Sequence, residues 1–485
     1  MKKELNFLWA LAGLLLFGCG SNPAIDNRAS SPPNIIYILA DDLGYGDLGC
    51  YGQEKFTTPN LDQLAREGTR FTRHYSGSTV CAPSRSVLMT GLHTGHTFIR
   101  GNREVKPEGQ SPLPASAVTM AELMKDAGYV TGAFGKWGLG FPGSEGDPVN
   151  QGFDRFFGYN CQRYAHRYYP EYLWDNDEKF YLEGNDWSST TTYAPDVIQQ
   201  KTLDFIRDNK DTSFFAYVPI VIPHAELIAP EDDIFEKFLG EYPETPYVGM
   251  PGADYGPDMV IGMYCSQENP HATFAAMVQR IDLYVGQIMG ILKELGIAEN
   301  TLIMFTSDNG PHQEGGADPD FFNSSGSLRG VKRDLYEGGV RVPFIVSWPG
   351  SVEAGTISDH ISAFWDVLPT VADLTGFQLD ETDGISFLPE LLGNDQPEHE
   401  MLYWEFHERG GKQAILKDEW KAVRLNVRKD PHGTPELYNL RDDPHERNNV
   451  ADSHPDLVMQ FSKMMEEERV PSEKFNFGMS TYSGE

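Results

Sequence analysis

The chain has 485 residues, with 71 Asp and Glu against 39 Lys and Arg, a formal net charge of −32 before histidine is counted. Such an acidic field repels nucleic acid and anionic headgroups, so a protein that reads a phosphate backbone is excluded unless its basic residues are gathered in one place. Hydrophobic residues make up 40% of the chain and aromatics 12%, enough for a large core, which excludes disorder as the main state.

Lys2 and Lys3 precede an apolar stretch from Phe7 to Phe17, short for a bilayer span and followed by Gly18-Cys19 and a Ser/Asn/Pro-rich run. Leu16-Phe17-Gly18-Cys19 resembles a bacterial lipobox. It implies a signal peptide over 1–18, a lipid anchor in the outer membrane at Cys19 and a tether over 19–33. The mature chain is then expected in the periplasm or at the cell surface, and an ordinary secretory signal also exports it. The five cysteines, Cys19, Cys50, Cys81, Cys161 and Cys265, contain no CxxC pair. That spacing weighs against a disulfide scaffold or a structural zinc site.

Asn34 to Ala40 is a continuous apolar run rich in β-branched residues, the pattern of a strand buried on both faces. Thr58-Pro59 opens a short helix that runs to Gly68. Met120–Asp126 reads as a helix closed by Gly128, and 129–134 as the next strand. A helix over 194–209 feeds a strand over 214–221. The pattern continues with a long helix over 271–295 and strands over 301–305 and 342–348. This alternation predicts an α/β fold with a doubly wound sheet between helices, over a domain spanning 34–384. From 385 to 485 the spacing changes to short strands at 402–406, 413–416 and 420–425 and a helix at 454–468. That reads as a small C-terminal subdomain of antiparallel sheet plus helix.

Ligands gather at the carboxyl ends of strands in such sheets. Asp41-Asp42 and Asp308-Asn309-Gly310 stand there. Oxygen-only donors suit a hard divalent cation, Ca²⁺ or Mg²⁺, although either motif alone is also an ordinary turn. In Val80-Cys81-Ala82-Pro83-Ser84-Arg85 the proline suggests a helix that begins near Cys81. The thiol would then stand at the positive end of the helix dipole, with a lowered pKa.

Cys81-Ala-Pro-Ser-Arg85 matches the C-x-P-S-R signature of the type I sulfatase family, and the chain resembles that family further in Gly135-Lys136-Trp137, Pro223-His224, Ser307-Asp308-Asn309-Gly310 and Leu328-Arg-Gly-Val-Lys332 through Pro343. The resemblance covers residues 34 to about 350. It implies an alkaline-phosphatase-like mixed sheet and oxidation of Cys81 to Cα-formylglycine by a separate maturation enzyme. It also implies one Ca²⁺ held by Asp41, Asp42, Asp308, Asn309 and the modified residue 81. The hydrated aldehyde would attack sulfur. Arg85, Lys136 and Lys332 would neutralise the sulfate charge, and His224 would protonate the leaving oxygen as general acid.

One departure is Gly138, where the family often carries histidine. His93, His96 or His312 are candidate replacements, and loop polarity is the competing reading of the first two. The stretch Gly158 to Pro170 packs aromatic, basic and amide groups, including Arg163 and His166, in a composition that suits sugar rings and their sulfates. Asn102 and Asp318 lie on further candidate substrate loops. The resemblance therefore implies a carbohydrate sulfatase acting on algal polysaccharides such as ulvan or carrageenan, or on glycosaminoglycans. A phosphonate or phosphodiester hydrolase with the same nucleophile is the alternative, and so is an inactive glycan-binding lipoprotein.

Overall fold

The computed structural model describes residues 32–477. The expected signal peptide, the Cys19 anchor and the tether up to residue 31 lie outside the described residues. Residues 32–477 form one compact unit. Among the described residues no helix is long and apolar enough to cross a membrane.

The main sheet has eleven strands. In chain order these are β1 (Asn34–Asp41), β2 (Thr69–Tyr75), β3 (Val130–Lys136), β4 (Arg155–Tyr159), β5 (Tyr172–Asp175), β6 (Glu178–Tyr181), β7 (Phe214–Pro223), β8 (Thr301–Ser307), β9 (Arg341–Ser347), β10 (Thr356–Ser358) and β11 (Ser362–Ala363). The spatial order is β10-β2-β9-β8-β1-β7-β3-β4-β5-β6, with β11 also on β2. The centre, β8-β1-β7-β3-β4, is parallel. Strand β9 runs antiparallel to both β8 and β2, and β4, β5 and β6 pair antiparallel in turn.

The apolar run of β1 is explained by cover on both faces. Ile35, Tyr37 and Leu39 enter one core, and Ile36, Ile38 and Ala40 enter the other. On the first side lie helices α2 (Cys81–Thr90) and Met120–Asp126; on the second lie α1 (Pro59–Arg66), Ala194–Asp208 and the long Pro270–Glu294. The expected elements of the central sheet are all present, with ends shifted by at most two residues.

The C-terminal sheet has four antiparallel strands, β12 (Leu402–Phe406), β13 (Lys412–Lys417), β14 (Trp420–Leu425) and β15 (Glu436–Asn439). Alternation along β12 decides its packing. Leu402, Trp404 and Phe406 join the core of the main sheet, whereas Tyr403 faces Phe461 and Met465 of the last helix, Pro455–Glu467. The segment is a further layer on the main sheet, sharing its core.

Candidate active site

Four adjacent parallel strands deliver the central side chains. β1 ends at Asp41 with Asp42 beyond it, β8 runs into Asp308-Asn309, β3 ends at Lys136 and β7 runs into His224. Register makes this a true convergence, since Ala40 pairs with Ser307 and Asp41 with Pro223. Asp42 takes a left-handed conformation at φ 63°, which a short acidic side chain adopts more readily than most.

Cys81 is the first residue of α2, and every residue of that helix is buried. Its Sγ donates to Asp41 Oδ1 at 3.4 Å. Lys136 Nζ donates to Asp41 Oδ2 at 2.7 Å. Arg85, one turn along α2, grips Asp308 Oδ2 through Nε at 3.2 Å and Nη2 at 2.8 Å, and donates to the Lys136 carbonyl at 2.6 Å. Lys332 Nζ donates to Asp42 Oδ2 at 2.7 Å and to His224 Nε2 at 2.8 Å. Asn309 Nδ2 donates to Asp42 Oδ1 at 2.7 Å. The nine residues expected for nucleophile, cation and metal thus meet in one buried cluster.

The thiol does not have the acidity expected of a helix start. Burial pushes the Cys81 thiol well above the ordinary cysteine value against the pull of Lys136 and Lys332, and the carboxylates of Asp41 and Asp308 add to the rise. The unmodified sulfur is therefore a protonated, weak nucleophile. Burial and the neighbouring Asp41 raise the Asp308 carboxyl to about 7. Against burial, Lys136, His224 and Arg85 hold Asp41 well below the usual carboxylate range.

The donor set fits a hard cation. Asn309 Oδ1 is buried with no hydrogen-bond partner, and three carboxylates crowd beside it with no zinc-type pair of thiolates. Asp41, Asp42, Cys81 and His224 each offer a ligand atom within 4.8 Å of the others.

Histidine chemistry differs from a lone general acid. Burial first and Lys332 second hold His224 well below the ordinary histidine value. Its Nδ1 meets the Ala225 carbonyl, which assigns the proton to Nδ1 and makes Nε2 the acceptor from Lys332. His166 stacks on His224 at 4.4 Å between centroids and His312 at 5.5 Å on a nearly parallel plane. His312 Nε2 also meets the Pro223 carbonyl at 3.0 Å.

The remaining candidates separate. Asn102 Oδ1 accepts the Ala82 N–H at 3.2 Å, one residue from the nucleophile. Arg163 pairs with Glu104 at 2.9 Å and donates to the Pro107 carbonyl at 2.7 Å, which ties two loops together. His96 is held by Asp383 at 2.9 Å and stacks on His93 beyond the C-terminal end of α2, the end opposite Cys81. Asp318 caps the Pro319–Phe322 turn and faces His271 at 3.6 Å. Neither His93 nor His96 therefore fills the space beside Gly138. Gln162 does: a Cβ on Gly138, whose φ is +80°, would meet Gln162 Nε2 at 2.8 Å.

Glu314 was missed in the sequence. It lies 3.4 Å from Lys332 Nζ, 2.5 Å from Arg333 and 3.8 Å from His224. Against burial, Lys332, His224 and Arg333 hold it far below the usual range. The only signal was an acidic residue just before the glycines at 315–316.

The model of the sulfatase family matches residues 33–377, and that of the N-sulphoglucosamine sulphohydrolase C-terminal region matches 331–471. The N-acetylgalactosamine-6-O-sulfatase of Bacteroides thetaiotaomicron is 30% identical over 96% of this chain and 99% of its own. Human arylsulfatase A is 32% identical over 89% of this chain and 87% of its own. The crystal structure of Ps i-CgsB in complex with k-i-k-neocarrahexaose superposes with a TM-score of 0.72 at 28% identity, over 90% of this chain and 92% of that one.

Proposed function

The chain belongs to the sulfatase family and is a sulfuric ester hydrolase, and from that premise we propose that it removes sulfate from sulfated carbohydrates of the galactose or N-acetylgalactosamine type, in algal polysaccharide or glycosaminoglycan. The observation that carries the mechanism is the buried meeting of Asp41, Asp42, Asp308 and Asn309 with Arg85, Lys136 and Lys332 around Cys81. The carbohydrate preference is supported by the relative that acts on N-acetylgalactosamine and by the structure bound to a neocarrahexaose.

Formylglycine at position 81, once hydrated, supplies an oxygen nucleophile where a buried thiol supplies none. A Ca²⁺ held by Asp41, Asp42, Asp308 and Asn309 supplies positive charge for a sulfate oxygen. Every other task falls to this chain's own groups. Asp41, in contact with side chain 81 and held ionised by Lys136, orients the nucleophile. Arg85 fixes Asp308 and the end of β3 as one rigid frame. Lys136 and Lys332 oppose the sulfate charge, which a negative nucleophile could not otherwise approach. The proton for the leaving sugar oxygen resides on the Lys332–His224 pair, while the rings of His166 and His312 lie nearly parallel to that of His224 and help to orient it.

The Lys2 to Cys19 segment supports export, with the enzyme anchored through Cys19 in the periplasm or at the cell surface. The test of substrate class is sulfate release, followed by ion chromatography, from N-acetylgalactosamine 6-sulfate, sulfated galactose and 4-nitrophenyl sulfate. Release from at least one of the sugars is expected. Turnover of the aryl ester alone would remove the carbohydrate assignment.

A further inference from the structure

A groove of about 630 Å³ lies where the loop after α2 meets the C-terminal sheet, lined among others by Asn102, Arg103, Glu408, Arg428, Glu473 and Lys474. Asn102 fixes its place, because the same side chain accepts the N–H of Ala82, next to Cys81. The groove therefore begins one residue from the reacting position.

Its charge runs against the acidic balance of the whole chain. Cations are outnumbered 71 to 39 in this chain, and most of those near the active site are held in ion pairs. Arg103, Arg428 and Lys474 are exposed, and among the described residues their side chains have no ion pair, hydrogen bond or ring contact. Two carboxylates, Glu408 and Glu473, also line the groove, so three cations face two acids there. Three elements distant in sequence thus point unpaired donors into one polar groove beside the nucleophile.

We propose that this groove binds sulfate groups on the sugar units next to the one being hydrolysed, so that the preferred substrate is an oligosaccharide or longer chain carrying several sulfates. The proposal rests on the sulfatase reading and adds a second recognition site to it. Guanidinium groups suit planar, two-oxygen contact with sulfate, and a lysine adds a mobile point charge. The groove also explains how a chain of charge −32 holds a polyanion: attraction is local, within the roughly 8–10 Å over which exposed charges act at moderate salt.

The test is the triple variant Arg103→Ala/Arg428→Ala/Lys474→Ala, all at exposed positions, compared with the parent enzyme on three substrates. These are a fully sulfated chondroitin 6-sulfate tetrasaccharide, the same tetrasaccharide bearing one sulfate, and 4-nitrophenyl sulfate. The expected result is a KM about tenfold higher for the fully sulfated tetrasaccharide, with kcat/KM for the other two unchanged within about twofold. An unchanged KM, or an equal loss on all three, overturns the proposal. Calorimetric titration of the same tetrasaccharide separates the two readings. If neither protein releases sulfate but the variant binds about tenfold more weakly, the groove stands and the sulfatase reading falls. Equal binding, or none to the parent, overturns the groove.

Discussion

Lys332 Nζ stands 2.8 Å from His224 Nε2, while His224 Nδ1 is engaged by the Ala225 carbonyl. The two side chains share one proton position and should act as one acid. Replacing Lys332 with Met or His224 with Ala is expected to lower kcat by on the order of 10²- to 10⁴-fold on a poor leaving group such as a sugar. The double variant should be little worse than either single one. Steady-state kcat for the three proteins checks this, and multiplicative losses would mean that the residues act separately.

Asn309 Oδ1 is buried and unpartnered beside Asp41, Asp42 and Asp308. A cation bound there would stabilise the folded chain alone, since the unfolded chain has no comparable site. Chelation with EGTA should lower Tm by about 2–4 °C, restored by added Ca²⁺. In Asn309→Ala the Ca²⁺-dependent increment should shrink or vanish. A wild-type Tm indifferent to Ca²⁺ would count against the assignment.

Arg167 Nη1 and Glu226 Oε2 form a fully buried pair at 2.6 Å. Glu226 also accepts from Tyr255 OH and the Tyr168 N–H, and Tyr168 OH reaches the His224 carbonyl. The pair therefore links the loop carrying His166 to the segment after His224. Glu226→Ala leaves a buried guanidinium without its counter-charge and should cost about 3–5 kcal/mol in urea unfolding. Activity should fall as well, since His224 loses its support.

How much of this was legible in the sequence depends on where each signal lies. β1, β7 and β8 announce themselves as unbroken apolar runs because both faces are covered. Strand β2, Thr-Arg-Phe-Thr-Arg-His-Tyr, carries no such run: Arg70, Thr72 and Arg73 are only partly buried, and its partner β9 lies far away in sequence. It was missed for that reason. Strands β5 and β6 are four residues each, and β6 is exposed throughout. The nucleophile, lysines and acidic residues sit at strand or helix ends and form readable motifs. Glu314 forms none, since its significance comes from Lys332 and Arg333 folding back onto it. Composition made His96 and Asp318 attractive, but folding placed one beyond the far end of α2 and used the other as a helix cap.

His93 offers a test of pH dependence away from the catalytic cluster. Burial pushes its imidazole down to about 4, against the pull of Asp383 and with His96 adding to the fall. An unperturbed histidine titrates near 6.5, so the unfolded chain takes up this proton first as pH falls. The contribution is present in full above about pH 6.5, and up to about 3 kcal/mol is lost as pH drops toward 4. Relative to wild type, His93→Gln should lose less stability between about pH 7 and pH 4.5, measured by urea unfolding at each pH. Parallel losses in the two proteins would contradict this.

The central claim is that residue 81 acts as an oxidised side chain and not as a thiol. Cys81 is buried, its thiol is pushed up, and Asp41 and Lys136 are arranged around it. The direct measurement is the mass of the tryptic peptide His74–Arg85 from enzyme that is turning over a sulfated sugar, made in a host with the maturation enzyme. The account predicts the aldehyde form, with oxygen in place of sulfur and two hydrogens fewer, in proportion to specific activity across preparations. A fully active preparation in which position 81 is wholly thiol would contradict it.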